Sequence, residues 1–552
     1  MNNQSDQHRT GFLSFRSSWL IVLAVLLFVS FVRLRLATTP LERDEGEYAY
    51  AGQLILHGIP PYELAYNMKL PGTYYAYAIG MAVFGQTIEG VHRMLLAVNL
   101  LTIVFVFLLG KKLFGTTAGL VSCAGYGLMS LSVLVQGLAA HANHFVILFA
   151  VPATLLLLEA LERKEARFWF FSGVLYGLAF LMKQQGICFC AFAVFYLTGK
   201  AVVEKTVFSG AFVKTLLIFT VGAILPFAFV CLSCAVAGDF SRFIFWTFIY
   251  ASWYATGVNL HTGFPYFLEH LRDSWPVSCA FWFIAVTGVS VAALSRCFNR
   301  NVVFALVFWL FSVLGMAIGF YFRRHYFILL LPAFAILIGY GVTVTTAALC
   351  EHKMLRIGKS VPFIVFLLAC GWATIYQASF FFRLSSAEVC QNLYQGNPFM
   401  EAPVAGKFLY DHTTPDTRIA VFGSEPEIYF YARRRSAMGY IYTYSLMEPH
   451  PAASIMQREM SDEIETNHPE YLVAVRNELS WLPNRYSKLT IFDWFENYSK
   501  NNYRKIAVVG VSPNNKAVLI EKNLEHLPQF AEAPLEIYVR ISNTNLSAAG
   551  NN

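Results

Sequence analysis

Acidic side chains are concentrated in the segment LERDEGEYAYAGQLILHGIPPY, residues 41–62. Carboxylates do two kinds of chemistry, since they accept protons as general bases and bind cations as ligands. The carboxylates are Glu42, Asp44, Glu45 and Glu47, of which Asp44 and Glu45 form an adjacent acidic pair. Apolar residues at helical spacing follow, beginning with Tyr48, and this pattern suits a helix in a membrane interface. The alternative interpretation of the carboxylates is a solvated polar face.

A lysine follows in the segment AYNMKLPGTYYAYAIGMAVFG, residues 65–85. Lys69 precedes a Leu-Pro-Gly turn, after which aromatic residues open another apolar stretch. An ammonium group at this depth can bind the phosphate of a lipid-linked substrate as a point charge. The other interpretation is an anchor that reaches the lipid headgroups. Lys69 is therefore a candidate phosphate ligand.

The segment AAHANHF contributes two histidines that can bind a metal ion. His141 and His144 are three residues apart, so they share one face if the segment is helical. With Asp44 and Glu45 they form a candidate site for zinc or manganese, because imidazole and carboxylate together bind these ions. The other interpretation is that Asn143 and the histidines cap a helix and bond to neighbours. The sequence specifies no cofactor, and a divalent cation is one candidate.

The composition is that of a membrane protein. The 552 residues are 56% hydrophobic and 14% charged, whereas an ordinary soluble chain is about 25% charged. The mean hydropathy is +0.49. These values exclude a soluble enzyme, a disordered scaffold and a disulfide-stapled domain. The net charge of +7 comes without a basic stripe of interleaved aromatic residues, so we expect no nucleic-acid partner.

Eleven segments are apolar enough to predict transmembrane helices, each of which needs about 20 residues. The predicted fold class is an α-helical polytopic membrane protein of about eleven spans with a C-terminal α/β domain. The spans are expected near residues 17–36, 91–110, 117–137, 144–161, 168–182, 186–198, 213–236, 276–295, 301–320, 325–348 and 360–379.

Short basic loops, such as ERKEAR and TGKAVVEK, alternate along this series with loops that contain fewer Lys and Arg residues. Their Lys and Arg content places them, and the N-terminal residues 1–16, in the cytoplasm. An odd number of spans then puts the C-terminal domain outside. Lys69, Lys183, Arg323 and Arg324 break the usual bias because they fall on the outer side, so we expect them to have a functional role.

This topology predicts that the chain consists of three consecutive regions. A cytoplasmic N-terminus (1–16) precedes a transmembrane domain (17–382), whose first outer loop (37–90) holds the acidic pair, and an extracytoplasmic domain (383–552) follows. In that last domain the runs RIAVFG, EYLVAV, KIAVVGVS and KAVLIEK predict strands that alternate with helices. We expect a three- or four-stranded sheet there. The basic run Arg433–Arg435 predicts a solvated face or a contact with anionic headgroups.

Over about residues 18–350, the order and spacing of five motifs resemble those of the C-type membrane glycosyltransferases. The resemblance is narrower to the protein mannosyltransferase and lipid A aminoarabinose transferase families, which are glycosyltransferase family 39-like. Asp44 and Glu45 match the acidic pair that follows the first membrane helix of these families. The run that starts at Lys69 matches their Lys/His-Pro-Pro-Leu-type motif imperfectly, with Leu in place of the first Pro. The segments RMLLAVNLLTIVFVFLLGKKLFG, GLAFLMKQQG and RRHYFILLLPAFAILIG are similar to later helices.

The resemblance implies a polyprenyl-phosphate sugar donor and an acceptor hydroxyl on a glycan, lipid or protein. It implies inversion at the anomeric carbon without a covalent intermediate, at a site outside the cytoplasm, most simply in a bacterial inner membrane. Asp44 would be the base, with Glu45 beside it. The implied donor-phosphate ligands are Lys69, Lys183, Arg323 and Arg324, and the implied cavity residues are Tyr48, His141, Asn143, His144, His325 and Tyr326.

A transporter or flippase of lipid-linked saccharides is the alternative function. Transporters commonly consist of related halves with Gly- or Pro-broken helices in corresponding positions. The sequence has no internal repeat of fixed period. Transport also leaves the long, acidic first outer loop without an explanation, so the sequence favours sugar transfer.

Overall fold

The computed structural model describes residues 15–295, 298–351, 356–512, 514, 516–524, 527–528, 530 and 534–541. The predicted cytoplasmic N-terminus lies almost wholly outside these residues. The described chain divides into two compact units. The first unit comprises the chain up to Arg35, Leu95–Val230 and Val258–Arg383. The second comprises Leu36–Met94, Cys231–Gly257 and the chain from Leu384 onward.

Nine helices of the described chain are long and apolar enough to cross a membrane. A hydrocarbon core about 30 Å thick requires helices of this length, because backbone polar groups must be paired inside it. The protein is therefore an integral multi-pass membrane protein, as the sequence predicts. The nine helices are Arg16–Arg35, Ile88–Phe114, Ala142–Arg163, Gln184–Val203, Gly210–Ala237, Leu260–Leu294, Arg300–Ala317, Arg324–Cys350 and Gly358–Tyr376.

The other α-helices of the described chain are shorter. In the first unit they are Thr116–Met129 and Ala166–Met182. In the second unit they are Arg43–Leu56, Gly72–Phe84, Phe240–Ile244, Ala251–Thr256, Ser386–Leu393, Ala402–His412, Pro426–Ala432, Tyr444–Met447, Ala453–Asn467, Glu478–Trp481 and Thr490–Asn502.

Each of the eleven predicted spans overlaps a described helix, and nine of these helices are long and apolar enough to be full spans. The predicted segment 117–137 contains a helix of only 14 residues, which at 1.5 Å per residue is about 21 Å long. Its apolar run continues through a turn and a 3-10 segment, Val133–Val135, and composition does not distinguish these from a helix. The helix Ala166–Met182, which overlaps the predicted span 168–182, has 17 residues and is shorter than each of the nine long helices. The helix Leu260–Leu294 conversely begins well before the predicted span 276–295.

Close backbone contacts and a buried cation stabilise the first unit. A Cβ atom on Gly288 would lie 2.3 Å from the Cα of Gly341, so two spans meet there through small residues, as is common in membranes. The guanidinium of Arg33 is buried and donates to the carbonyls of Ser130 and Gly137, both at 2.9 Å. A charge inside a membrane helix requires such partners.

The second unit contains a mixed sheet of six strands among the described residues. The strands are β1 Arg418–Phe422, β2 Arg435–Ser436, β3 Tyr471–Val475, β4 Tyr503–Val511, β5 Ala517–Ile520 and β6 Leu535–Arg540. Their order is β2-β1-β3-β6-β4-β5, with β1 parallel to β2 and β3 and the other pairs antiparallel. β3 is buried along its whole length, as its continuous apolar run predicts. Phe495 of the helix Thr490–Asn502 stacks on Phe422 with ring centroids 3.9 Å apart.

The prediction of a C-terminal α/β domain is confirmed, but two strands were missed. β2 has two residues and carries no apolar run. The sequence of β6, LEIYVR, carries two charges in six residues. Short or charged strands give weak periodicity, so the sheet is larger than the three or four strands expected.

Candidate active site

The acidic pair lies in the first turn of the helix Arg43–Leu56, which we call the acidic helix. Glu42 is its N-cap: the carboxylate of Glu42 accepts from the backbone N–H of Glu45 at 2.9 Å. The carboxylate of Glu45 accepts from the N–H of Glu42 at 3.2 Å, which completes a capping box. Negative charge in this turn is also favoured by the helix dipole. The cap fixes where Asp44 projects, because Asp44 lies between the two capping residues.

Lys69 connects two carboxylates of the acidic helix. Its ammonium donates to Asp44 Oδ1 and to Glu47 Oε2, each at 2.6 Å. The ammonium also lies over the aromatic rings of Tyr48, at 4.7 Å, and Tyr442, at 5.2 Å. We call Lys69, Asp44 and Glu47 the lysine triad. Its members come together because Asp44 and Glu47 are three residues apart and share one helix face.

Burial differs within the lysine triad. The side chain of Glu47 is fully buried, whereas those of Lys69 and Asp44 are 14% and 16% exposed. Burial alone would lower the pKa of Lys69, but the carboxylates of Asp44 and Glu47 outweigh it and hold that pKa well above its ordinary value. Burial raises the pKa of Glu47, although the Lys69 ammonium opposes this shift. Lys69 therefore stays charged, and Asp44 is the more exposed of its two carboxylate partners.

Further hydrogen bonds fix the lysine triad. The Tyr74 hydroxyl donates to Glu47 Oε1 at 2.5 Å. The Tyr62 hydroxyl donates to the backbone carbonyl of Lys69 at 2.8 Å. Tyr442, from the C-terminal part of the second unit, directs its hydroxyl to Asp44 Oδ1 at 3.4 Å. The site thus contains residues from three separate segments of the second unit.

Arg43 binds the acidic helix to the loop after β1. The guanidinium donates to Ser424 O at 2.6 Å, to the Tyr444 hydroxyl at 2.7 Å and to Glu425 Oε1 at 2.9 Å. The second oxygen of Glu425 accepts from the hydroxyl of Ser480 at 2.6 Å. A buried ion pair is tolerated only when its remaining polar atoms are also satisfied, and that condition is met here. This contact holds the first turn of the acidic helix against the sheet.

Glu45 has a different environment from Asp44. Besides its capping bond, its Oε1 lies 3.2 Å from Nε2 of His92. Nδ1 of the same imidazole lies 2.8 Å from the carbonyl of Ala37, so both ring nitrogens face acceptors. Of the predicted acidic pair, only Asp44 contacts Lys69 in the described structure. The second carboxylate on the lysine is Glu47, a residue that the sequence analysis did not select.

Several predicted phosphate and cavity residues gather in the first unit. The ammonium of Lys183 donates to Asn143 Oδ1 at 3.1 Å and lies 4.2 Å from the ring centre of Tyr326. The amide of Asn143 donates in turn to Gln185 Oε1 at 3.3 Å. Lys183 directly follows the helix Ala166–Met182. Its predicted neighbours Asn143 and Tyr326 are therefore brought together with it.

The histidines also lie in the first unit. The rings of His141 and His325 stack with centroids 4.1 Å apart, and His325 Nδ1 is 3.3 Å from Gln136 Oε1. His141 is the N-cap position of the next helix but makes no side-chain cap bond, and His144 is buried one turn later. Of the predicted metal ligands, Asp44 and Glu45 belong to the second unit, and the two histidines belong to the first.

The two outer arginines are exposed. Arg324 donates to Asp273 Oδ2 at 3.3 Å, and its side chain is 46% exposed. The guanidinium of Arg323 lies 5.7 Å from the ring centre of Tyr321. Both belong to the first unit, at the start of the span Arg324–Cys350.

Residues 69–229 match the family described as dolichyl-phosphate-mannose-protein mannosyltransferase. The match begins at Lys69 and includes all or part of four of the nine long apolar helices, from Ile88–Phe114 to Gly210–Ala237. A comparison with curated proteins gives no match.

Solved structures show the same fold. ArnT from Cupriavidus metallidurans bound to undecaprenyl phosphate is 14% identical with a TM-score of 0.57, covering 94% of this chain and all of that one. The oligosaccharyltransferase AglB from Archaeoglobus fulgidus, in complex with an inhibitory peptide and a dolichol-phosphate, is 13% identical with a TM-score of 0.53, covering 96% and 77%. The Archaeoglobus fulgidus oligosaccharyltransferase tethered with an acceptor peptide is 13% identical with a TM-score of 0.51, covering 95% and 76%.

Proposed function

We propose that this chain is a membrane glycosyltransferase that uses a polyprenyl-phosphate sugar donor, as the match to the dolichyl-phosphate-mannose-protein mannosyltransferase family suggests, and that it inverts the sugar as it transfers it to an acceptor hydroxyl. The observation that carries the finer proposal is the ion pair of Asp44 with Lys69. The Lys69 ammonium donates to Asp44 Oδ1 at 2.6 Å, which supports a shared role for the two residues. The family match also favours transfer over the transporter or flippase alternative.

Lys69 would bind the donor phosphate. Breaking the bond between the sugar and the phosphate leaves the electron pair on the phosphate oxygen, and a preorganised cation stabilises that charge as it develops. Lys69 is suited to this role because its pKa lies well above the ordinary value and it stays charged. Lys183, Arg323 and Arg324 stay candidate phosphate ligands, as the sequence resemblance implies.

Asp44 would be the general base. The acceptor hydroxyl must lose a proton as its oxygen bonds to the anomeric carbon, and a carboxylate in reach accepts it. Asp44 is the more exposed carboxylate of the lysine triad. It projects from a capped helix rather than a loop tip, which gives the rigid placement that catalysis requires. Attack opposite to the departing phosphate in one step inverts the anomeric carbon.

The acceptor would be a glycan, lipid or protein outside the cytoplasm, with an undecaprenyl-phosphate-type donor in a bacterial inner membrane. The alternation of basic loops supports this orientation. ArnT, a structure of the same fold, was solved with undecaprenyl phosphate. The sugar is left open, because it is selected by the shape of a pocket rather than by the triad.

Substitution of Asp44 tests the proposal. Purified protein is mixed with an acceptor extract and with undecaprenyl-phosphate donors that carry different sugars. The undecaprenyl phosphate that each transfer releases is measured. We expect Asp44→Asn to lower turnover by about 10²–10⁴-fold while binding of undecaprenyl phosphate is retained. The matched control is Glu63→Gln, an exposed carboxylate of the same loop, and we expect it to behave as the unsubstituted protein. Near-normal turnover of Asp44→Asn would refute the assignment of the base.

A further inference from the structure

Glu47 is the buried member of the lysine triad and has no part in the proposed reaction so far. One of its oxygens accepts from Lys69 and the other from Tyr74. Its side chain is fully buried, so no water competes for these two bonds. Tyr74 belongs to the first turn of the helix Gly72–Phe84, which begins three residues after Lys69. Glu47 therefore connects Lys69 to a rigid element that follows it.

Asp44 is more exposed than Glu47. Its Oδ1 accepts from the Lys69 ammonium at 2.6 Å and from the Tyr442 hydroxyl at 3.4 Å. Its side chain is 16% exposed, so water can replace a lost partner. Of the two carboxylates on Lys69, Asp44 is the one that an incoming anion can displace.

A donor phosphate brings more negative charge to an ammonium that already faces two carboxyl groups. A third anionic partner at hydrogen-bond distance repels the other two. Asp44 leaves at the lower cost because water can reach it, whereas a displaced Glu47 would be a buried, unpaired charge. A carboxylate paired to an ammonium is also a poor proton acceptor, because the cation stabilises its charged form. In the arrangement that the structure describes, Asp44 is therefore restrained as a base.

We propose that Glu47 is a positioning residue, which keeps Lys69 in place after the donor phosphate displaces Asp44 from the ammonium. The displaced Asp44 carboxylate then takes the proton of the acceptor hydroxyl. The acceptor oxygen bonds to the anomeric carbon, and the electron pair of the breaking carbon–oxygen bond goes to the phosphate, which Lys69 stabilises. This inference rests on the proposed function and adds an order to it: binding of the donor phosphate releases the base.

The test compares Glu47→Gln, Glu47→Asp and the control Glu63→Gln. In Glu47→Gln the ammonium keeps only Asp44 as its carboxylate partner, so Asp44 is released less readily and Lys69 is less well placed. We expect kcat to fall roughly 10- to 100-fold, the range typical of displaced catalytic groups. We expect the KM for the donor not to rise, because Lys69 no longer shares its charge with Glu47. Glu47→Asp restores a carboxylate on a shorter side chain, so its kcat should lie between the two.

Binding of undecaprenyl phosphate, measured by mass spectrometry of the intact protein in detergent, separates the outcomes. Glu47→Gln should bind this lipid at least as tightly as the unsubstituted protein. Unchanged kcat in Glu47→Gln, beside an inactive Asp44→Asn, would overturn the inference and leave the proposed function standing. Parallel loss of binding and kcat, without rescue by Glu47→Asp, would also overturn it, since that pattern reports a merely structural residue. Failure of the unsubstituted protein to bind undecaprenyl phosphate would instead refute the proposed function.

Discussion

Removal of Lys69 should destabilise the protein as well as inactivate it. Lys69→Ala leaves the fully buried carboxylate of Glu47 and the nearly buried one of Asp44 without their shared cation. Breaking a buried ion pair by removing one partner typically costs about 3–5 kcal/mol, because the remaining charge is buried and unpaired. In a unit of this size such a loss lowers the melting temperature by roughly 6–20 °C.

The assay is thermal unfolding in detergent, with a matched lysine as control. Lys407 forms an exposed pair with Asp411 at 2.7 Å, and its side chain is 76% exposed. Pairs of this kind contribute about 0–1 kcal/mol, so Lys407→Ala should melt close to the unsubstituted protein. Lys69→Arg keeps the charge and should retain part of the stability and part of the transfer activity, since its geometry differs.

A double substitution separates the two roles of Lys69. Lys69→Met with Glu47→Gln removes the ammonium and its fully buried carboxylate partner together and leaves only the partly exposed Asp44 charged. Neutral replacement of a buried pair is often tolerated. We therefore expect most of the lost stability to return while transfer stays lost, because no cation faces the donor phosphate. In Lys69→Ala we expect the donor requirement to rise. Melting of Lys69→Ala within the range of Lys407→Ala would refute the energetic argument, and an unchanged donor requirement would refute the phosphate assignment.

Two further predictions concern stability and orientation. Burial, with the nearby carboxylate of Glu425, raises the pKa of Glu427. A carboxyl group with a raised pKa stabilises the folded state at a pH below its pKa in the unfolded chain, which is about 4.3. This stabilisation is lost as the pH rises through the pKa of the group in the folded state. Glu427→Gln should therefore melt higher than the unsubstituted protein at pH 8, with the difference closing towards pH 4, while the exposed Glu478→Gln shows no such trend. For orientation, Asn497→Cys, exposed on the helix Thr490–Asn502, should react with a membrane-impermeant thiol reagent in intact spheroplasts. Reaction only after lysis would reverse the predicted topology, and unsubstituted protein controls for native cysteines such as the exposed Cys350.

The membrane spans were the most predictable part of the fold. A hydrocarbon layer demands about 20 apolar residues, and this demand is visible in composition alone. The error at residues 117–137 arises because an apolar turn beside a helix meets the same demand. The sheet was less predictable, because β2 is two residues long and gains its place from pairing with β1 rather than from its own pattern.

The basic run in the C-terminal domain shows how one sequence pattern conceals different environments. Arg433 and Arg435 are exposed, whereas Arg434 is buried. The guanidinium of Arg434 donates to the carbonyls of Tyr410 and Thr413, at 3.1 and 2.7 Å, where the helix Ala402–His412 ends. A cation there satisfies terminal carbonyls and the helix dipole. Neither a solvated face nor a headgroup contact describes this residue.

Asp44 and Lys69 were selected separately from the sequence, and their contact across 25 residues of chain was not predicted. Glu47 was missed although the sequence contains a signal for it. On a helix, position 47 shares a face with 51, 54 and 55, which are Ala51, Leu54 and Ile55 of the apolar stripe. A carboxylate on an apolar stripe must find a cation or a proton when the stripe is buried. The first basic residue after the acidic helix, apart from a histidine, is Lys69, so the search for a partner of Glu47 leads to the same lysine that the phosphate argument selected.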